Sequence, residues 1–302
     1  RGSHPMPVLA AGVQALGTFS TTSIGDDPQS IEKATERLIA KMPTLAAYGY
    51  KNSRGEPFLY PDNALSYVQN FERMSFGYPT EPYHFEPEIT RALDVLLILH
   101  ADHEQNCSSS TVRLVGSSGA NIYASISAGI NALSGPLHGG ANQAVLEMLE
   151  AIKASGISVK EYVQQVKDRN AGIKLMGFGH RIYKNYDPRA AIIKQHADRV
   201  LALKSGRRDL LDIAQELEQA ALADDYFTER KLYPNVDFYS GLIYEAMGFP
   251  KEMFTVLFAI GRLPGWIAQW REQRADPNSR IGRPRQVYTG VPERDYVPMD
   301  DR

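Results

Sequence analysis

Between Glu86 and His100 the chain carries a helical pattern that polar residues hardly interrupt. Ala92, Leu93, Val95, Leu96, Leu97 and Leu99 cover most of the circumference. A helix without a clear polar face has to be surrounded by other elements, so this one predicts a core built around it. The remaining periodic segments are helical too. Ile31–Lys41 follows a start signal at Asp26-Asp27-Pro28 with Ser30, and Pro43 kinks or restarts that helix before Tyr50. Asn63 reads as the N-cap of a helix ending near Phe76. A segment with Ala144, Val145, Met148, Leu149 and Ile152 on one face, then Val159–Arg169, Ala190–Leu203, Asp209–Leu222, a segment capped by Asp237 and ending near Met247, and Met253–Arg271 complete the set. From Ala120 to Ala132 every second residue is Ala or Ile, formally a strand pattern. The run is too long for a strand and rich in Ala, Ser and Gly, so Val112–Leu133 is expected as one helix. Leu9–Phe19 is apolar but loose by composition, 172–189 is irregular, and Arg280–Arg302 reads as extended. No stretch looks like a strand with a strand partner. The expected class is all-α, with about ten or more helices.

The length of 302 residues suits one large domain or two unequal ones. Lys and Arg number 33 against 35 Asp and Glu, a net charge of −2 with mixed signs. That gives no electrostatic footprint for nucleic acid or an anionic membrane. The single cysteine, Cys107, excludes an internal disulfide and a multi-cysteine zinc site, and fits a reducing cytoplasm. The most apolar run, Met253–Trp270, is broken by Gly261, Arg262, Pro264 and Gly265 and does not read as a membrane span. The chain opens on RGSH without an initiator Met, which reads as a tag remnant or the start of a fragment.

Six ionisable groups interrupt apolar helical context: His103, His138, His180, Arg189, Asp237 and Arg262. Four of them have a plain alternative. His138, between Pro136-Leu137 and Gly139-Gly140, can simply close a tight turn, although the glycines there also let a backbone come close to something. Asp237 can be an N-cap, His180 a surface histidine, and Arg262 half of a structural ion pair. A buried arginine cannot neutralise itself and needs an anion.

Three chemistries compete. His100, Asp102 and His103 have a spacing that suits metal ligands, but no second cluster of that density exists. Gly177 and Gly179 match part of a dinucleotide fingerprint, but the third glycine and a preceding strand are missing. The third uses all six groups. Histidines and one carboxylate share acid–base work while arginines hold a small polycarboxylate.

HADHEQN (His100–Asn106), GPLHGGANQAV (Gly135–Val145), GFGHRIYKNYDPR (Gly177–Arg189), KLYPNVDFYSG (Lys231–Gly241), FAIGRLPGWIAQW (Phe258–Trp270) and RPRQVYTG (Arg283–Gly290) together resemble the citrate synthases of the bacterial type. The resemblance runs from about Ser3 onward. It implies a multihelical two-domain fold, with a large domain of residues 1–139 and 243–302 and a small closing domain of 140–242. It implies condensation of acetyl-CoA with oxaloacetate and hydrolysis to citrate and CoA, with acetyl-CoA as substrate and no cofactor or metal. Asp237 would be the base, His138 the hydrogen-bond donor to the thioester oxygen, and His180 the donor to the oxaloacetate carbonyl. His103, Arg189 and Arg262 would bind oxaloacetate. Arg283 would reach the active site of the partner in a homodimer, and Lys184 would stand near the CoA phosphates. A cytoplasmic location fits.

Chemistry adds two expectations. Asp237 needs partial desolvation to be basic enough, which raises its pKa. His138 has to be a neutral donor whose other nitrogen is fixed by a backbone group or water. Two departures from the family pattern stand out. A further N-terminal region of roughly a hundred residues, which members normally carry, is expected to be missing. Ser134 occupies a place where a large aromatic is expected, and could widen the acyl pocket. The alternatives are therefore 2-methylcitrate synthesis from propionyl-CoA and a non-catalytic helical dimerisation fragment.

Overall fold

A computed structural model describes residues 2–19, 27–168, 170, 172–203 and 208–302. Two positions used above as segment ends, Asp26 and Arg169, lie outside them. Among the described residues there are fourteen α-helices and no strand. They are α1 (Pro5–Leu16), α2 (Pro28–Arg54), α3 (Tyr67–Phe76), α4 (Pro87–His100), α5 (Cys107–Gly116), α6 (Ile122–Leu133), α7 (Pro136–Gly139), α8 (Ala141–Ser155), α9 (Val159–Lys167), α10 (Pro188–Leu203), α11 (Arg208–Leu222), α12 (Asp225–Glu229), α13 (Asp237–Met247) and α14 (Phe254–Ala275). The all-α expectation holds.

The strongly apolar helix α4 packs against α14, α10 and α3 and buries Ala92, Leu93, Leu96, Leu97 and His100. Its contact with α14 is close enough to exclude side chains. A Cβ at Gly265 would stand 2.0 Å from the Ala101 carbonyl oxygen, and one at Gly261 would stand 3.0 Å from the Leu97 carbonyl oxygen. Burial of α4 is not complete, because Ile98 stays 62% exposed.

Four local expectations need correction. The stretch that is loose by composition is helix α1. Met6, Leu9, Ala10 and Val13 share one buried face against α2 and α6, and small residues between them mask the period. Pro43 neither ends nor restarts α2, which runs through it. The N-cap of α3 is Ser66, not Asn63; Ser66 and Gln69 form a reciprocal capping box. The expected single helix over 112–133 is two, separated where Gly119 takes φ +84° and Asn121 caps α6. The Ala/Ile alternation is helical in α6, in keeping with its length and composition.

Among the described residues no helix is long and apolar enough to cross a membrane.

Candidate active site

The six singled-out groups come from six places in the chain. His103 follows α4, His138 lies in α7, and His180 follows the Gly177–Gly179 turn. Arg189 is in the first turn of α10, Asp237 opens α13 and Arg262 is mid-α14. All six line one cavity of about 170 Å³, together with Asn106, Val236 and Phe258. A wider cleft of about 550 Å³ shares His103, Asn106, His138 and His180 and extends past Cys107, Leu137 and Arg181. A 430 Å³ hollow lined by α3 and α4 residues contains none of the six.

One local device brings His180 to Asp237. Gly177 and Gly179 adopt φ +75° and +80°, which folds the GFG turn back on the chain before α13. Phe178 and Pro234 form an isolated antiparallel bridge. The Gly179 N–H donates to the Tyr233 carbonyl at 2.8 Å and the Asn235 N–H to the Gly177 carbonyl at 2.9 Å. Asn235 then accepts the Asp237 N–H on its side-chain oxygen at 3.0 Å.

The histidine tautomers follow from obligatory donors. The Ser108 backbone N–H donates to His138 Nε2 at 3.2 Å, and the Ser108 hydroxyl lies 2.8 Å from the same nitrogen. Nε2 is therefore the unprotonated nitrogen and Nδ1 carries the hydrogen. Ser108 is itself held, since its hydroxyl accepts the Trp266 indole N–H at 3.1 Å and reaches the Asn106 side-chain oxygen at 2.9 Å. Burial, with Arg262 adding to it, pushes His138 down to about 4. In His180, Nδ1 accepts the N–H groups of Ile182 and Tyr183, at 3.0 and 3.2 Å, so Nε2 carries the hydrogen. Burial, then the neighbouring His103 and Arg189, lowers the His180 pKa. The His103 ring lies 4.8 Å from that of His180, and burial and Arg189 lower its pKa as well. The cavity is thus lined by three imidazoles whose environments favour the neutral form.

The two arginines differ. Arg189 forms a fork with buried Asp187, Nε to Oδ1 at 3.1 Å and an NH2 to Oδ2 at 2.9 Å. Asp187 Oδ2 also accepts the Val236 N–H at 3.1 Å, which fastens the residue before Asp237 to the residue that orients Arg189. Arg262 is 2% exposed, donates from Nε to the His100 carbonyl at 2.6 Å and stacks over Phe258 at 4.9 Å. Among the described residues it forms no ion pair, so the structural ion pair considered for it is not found. Burial lowers its pKa to about 10 and leaves it charged at neutral pH.

Asp237 is not the N-cap of its helix. Val236 holds that position, and no side-chain capping bond is made. Burial raises its pKa to about 6, against the opposing pull of Arg189. A poised carboxylate, fixed neutral N–H donors and a buried guanidinium without an ion pair make a site for a small anion undergoing proton transfer.

Other expectations fare differently. The metal reading of His100 and His103 gains no support from the site, because His100 lies outside the cavity that His103 lines. His100 is buried, its Nδ1–H donates to the Leu96 carbonyl at 2.7 Å, and burial pushes it to about 3. Among the described residues no group of three or more His, Cys, Asp or Glu is placed to hold a metal ion. Ser134 is an exposed C-cap of α6, bonded to the Asn131 carbonyl, and lines neither cavity. Gly139 and Gly140 serve packing, since a Cβ would lie 2.3 Å from the Leu133 carbonyl oxygen or 2.8 Å from that of Pro136. Lys184 is exposed and donates to the Arg181 carbonyl, and Arg283 is exposed in the extended tail; neither lines the 170 Å³ cavity. Sequence reasoning missed Ser108, Asn106 and Asp187. The Asp-Pro-Arg run was a usable signal for Asp187, because Asp before Pro marks a helix start.

The chain matches the family described as citrate synthase, C-terminal domain, over residues 1–285. It is 66% identical to citrate synthase 1 of Mycobacterium tuberculosis, with all of this chain and 70% of that protein covered. To the citrate synthase of Corynebacterium glutamicum it is 60% identical, with all of this chain and 69% of that protein covered. The solved citrate synthase of Pyrobaculum aerophilum superposes with a TM-score of 0.88 at 40% identity, covering 99% of this chain and 74% of that one. The citrate synthase of Thermoplasma acidophilum, solved as a ternary complex with carboxymethyl coenzyme A and oxaloacetate, gives 0.88 at 32% identity, covering 99% of this chain and 76% of that one. The chain belongs to the citrate synthase family.

Proposed function

We propose that the protein condenses acetyl-CoA with oxaloacetate and hydrolyses the resulting citryl-CoA to citrate and CoA. The observation that carries this is the convergence of a raised-pKa Asp237 with two neutral imidazoles of fixed tautomer and two arginines on one cavity. Arg189, Arg262 and His103 bind the oxaloacetate carboxylates, and Arg262 brings a buried charge that no carboxylate of the described residues grips in an ion pair. His180 donates Nε2–H to the ketone oxygen and makes the carbonyl carbon electrophilic. Asp237 takes a proton from the acetyl methyl group, and His138 donates Nδ1–H to the thioester oxygen where negative charge develops. The enolate carbon attacks the ketone carbon, the alkoxide that forms is held by the His180 Nε2–H and takes up the equivalent of the proton that Asp237 removed, and water cleaves the thioester to give citrate and CoA. The chemistry calls for no metal and no cofactor.

The wider cleft gives the pantetheine arm a route to His138, and Lys184 stands ready for the CoA phosphates from its exposed turn. Residues 140–242 act as the small domain, and closure over the cavity excludes water until the carbon–carbon bond has formed. The protein works as a homodimer to which Arg283 contributes from the partner's tail. Exposed Ile98, Leu114, Ile281, Val287 and Tyr288 support such an assembly. The citrate synthase names of the relatives disfavour the propionyl-CoA alternative. The gathering of His103, His138, His180, Arg189, Asp237 and Arg262 in one cavity argues against a non-catalytic fragment. Steady-state CoA release with oxaloacetate and either acetyl-CoA or propionyl-CoA tests the reading. Preference for acetyl-CoA is expected, and preference for propionyl-CoA or no turnover with either from folded protein would overturn it.

A further inference from the structure

We infer that Glu218, which lines neither cavity, is a positioning residue that holds the Arg189 segment and the Asp237 segment in register; this deepens the functional reading above and rests on it. Glu218 lies on α11 and is only 2% exposed. An isolated carboxylate at that depth is costly, so its partners matter. Its Oε1 accepts the Tyr186 hydroxyl at 2.5 Å. Its Oε2 accepts the Tyr239 hydroxyl at 2.5 Å and the Lys194 ammonium at 2.5 Å.

The partners sit at informative places. Tyr186 immediately precedes Asp187, whose carboxylate grips Arg189 and the Val236 N–H. Tyr239 is two residues after Asp237, in the first turn of α13. Lys194 is on α10, whose first turn carries Arg189. One carboxylate therefore ties the loop and helix that present a substrate arginine to the helix turn that presents the base. Tyr239 is fully buried and Tyr186 partly so, and a buried hydroxyl needs an acceptor. Burial, followed by Glu218 itself, holds both phenols well above their ordinary range, so both remain donors.

The competing explanation is a core ion pair that only joins α10, α11 and α13. It predicts lost stability without a kinetic signature. The two are separated by three variants of the full chain: Glu218→Gln, Tyr186→Phe and Tyr239→Phe. Tyr186→Phe should raise the KM for oxaloacetate about tenfold and leave kcat within about twofold. Tyr239→Phe should lower kcat about tenfold with little change in that KM. Glu218→Gln should do both, and speed amide exchange of residues 186–190 and 236–240 roughly tenfold while α1 and α6 keep wild-type rates. Should Glu218→Gln fail to fold, the tyrosine pair carries the same test. Folded variants with wild-type kinetics, or with a lower Tm but unchanged exchange in those two segments, would overturn the inference. Absence of CoA release from the wild-type protein would instead overturn the functional reading, and the exchange result alone would then decide the role of Glu218.

Discussion

The Ser108 backbone N–H and His138 Nε2 lie 3.2 Å apart, and that contact assigns the imidazole proton to Nδ1. An amide cannot reverse its role as donor, so the tautomer is set by the backbone at the start of α5 rather than by a titrating group. Long-range ¹H–¹⁵N spectra of the free protein should show His138 as the Nδ1–H tautomer, with no protonation above about pH 5, in line with a pKa near 4. A resonance that titrates at pH 6–7 would contradict the assignment.

Asp237 connects chemistry to stability. Its ordinary value of 3.8 rises to about 6 in the folded protein. Between those two pH values the folded state keeps a proton that the unfolded state has lost, so stability falls as pH rises through the window. Above about pH 6 the folded protein bears the full cost, roughly 1–3 kcal/mol once solvent in the cavity is allowed for. Asp237→Asn should therefore raise the Tm at pH 8 and leave it unchanged near pH 4. Thermal melts at the two pH values check this; a Tm lowered at pH 8 would contradict it.

Among the described residues Arg262 is a buried cation that makes no ion pair, with Asp102 and Asp237 as its carboxylate neighbours. Replacing a buried charge that makes no ion pair with an apolar chain of similar length is close to neutral for stability, while loss of a buried ligand contact is not. Arg262→Met should weaken oxaloacetate binding by at least about a hundredfold and change folding stability by no more than about 1 kcal/mol. Calorimetric titration and urea melts check the two halves.

Metal removal should have no effect. Among the described residues no group of three or more His, Cys, Asp or Glu is placed to hold a metal ion, and His100 lies outside the cavity that His103 lines. Turnover before and after exhaustive chelation should agree within error, and recovery of activity on adding zinc would contradict this.

Much of the site was legible in the sequence because its groups are chemically out of place. An arginine in the apolar run of α14 and a histidine at the α6–α8 junction each demand a reason, and all six such groups reach the same cavity. What was not legible is what holds them. Ser108 acts through its backbone N–H, which every residue but proline possesses, so its side chain carries no signal for that bond. Asp187 reads as an ordinary helix start and does that job too, through the Arg189 N–H. Asp237 shows the opposite error, because its position invites a capping role that its carboxylate does not take. In the fold, helix existence followed from periodicity, and the errors fell where small residues or a proline carried the local signal. Ala and Gly masked the buried face of α1. Pro43 suggested a break that packing around α2 overrides.

The most direct test of the account is the turnover of Asp237→Asn measured beside its affinity for oxaloacetate. The amide keeps the shape and cannot take a proton, so CoA release from acetyl-CoA should fall by about 10²–10⁴-fold. Wild-type kcat/KM for acetyl-CoA should fall as pH drops below about 6, where the carboxylate protonates, while the oxaloacetate Kd of the variant stays within about threefold of wild type. Near-normal turnover, or loss of oxaloacetate binding with turnover preserved at saturation, would contradict the role of Asp237 as the base.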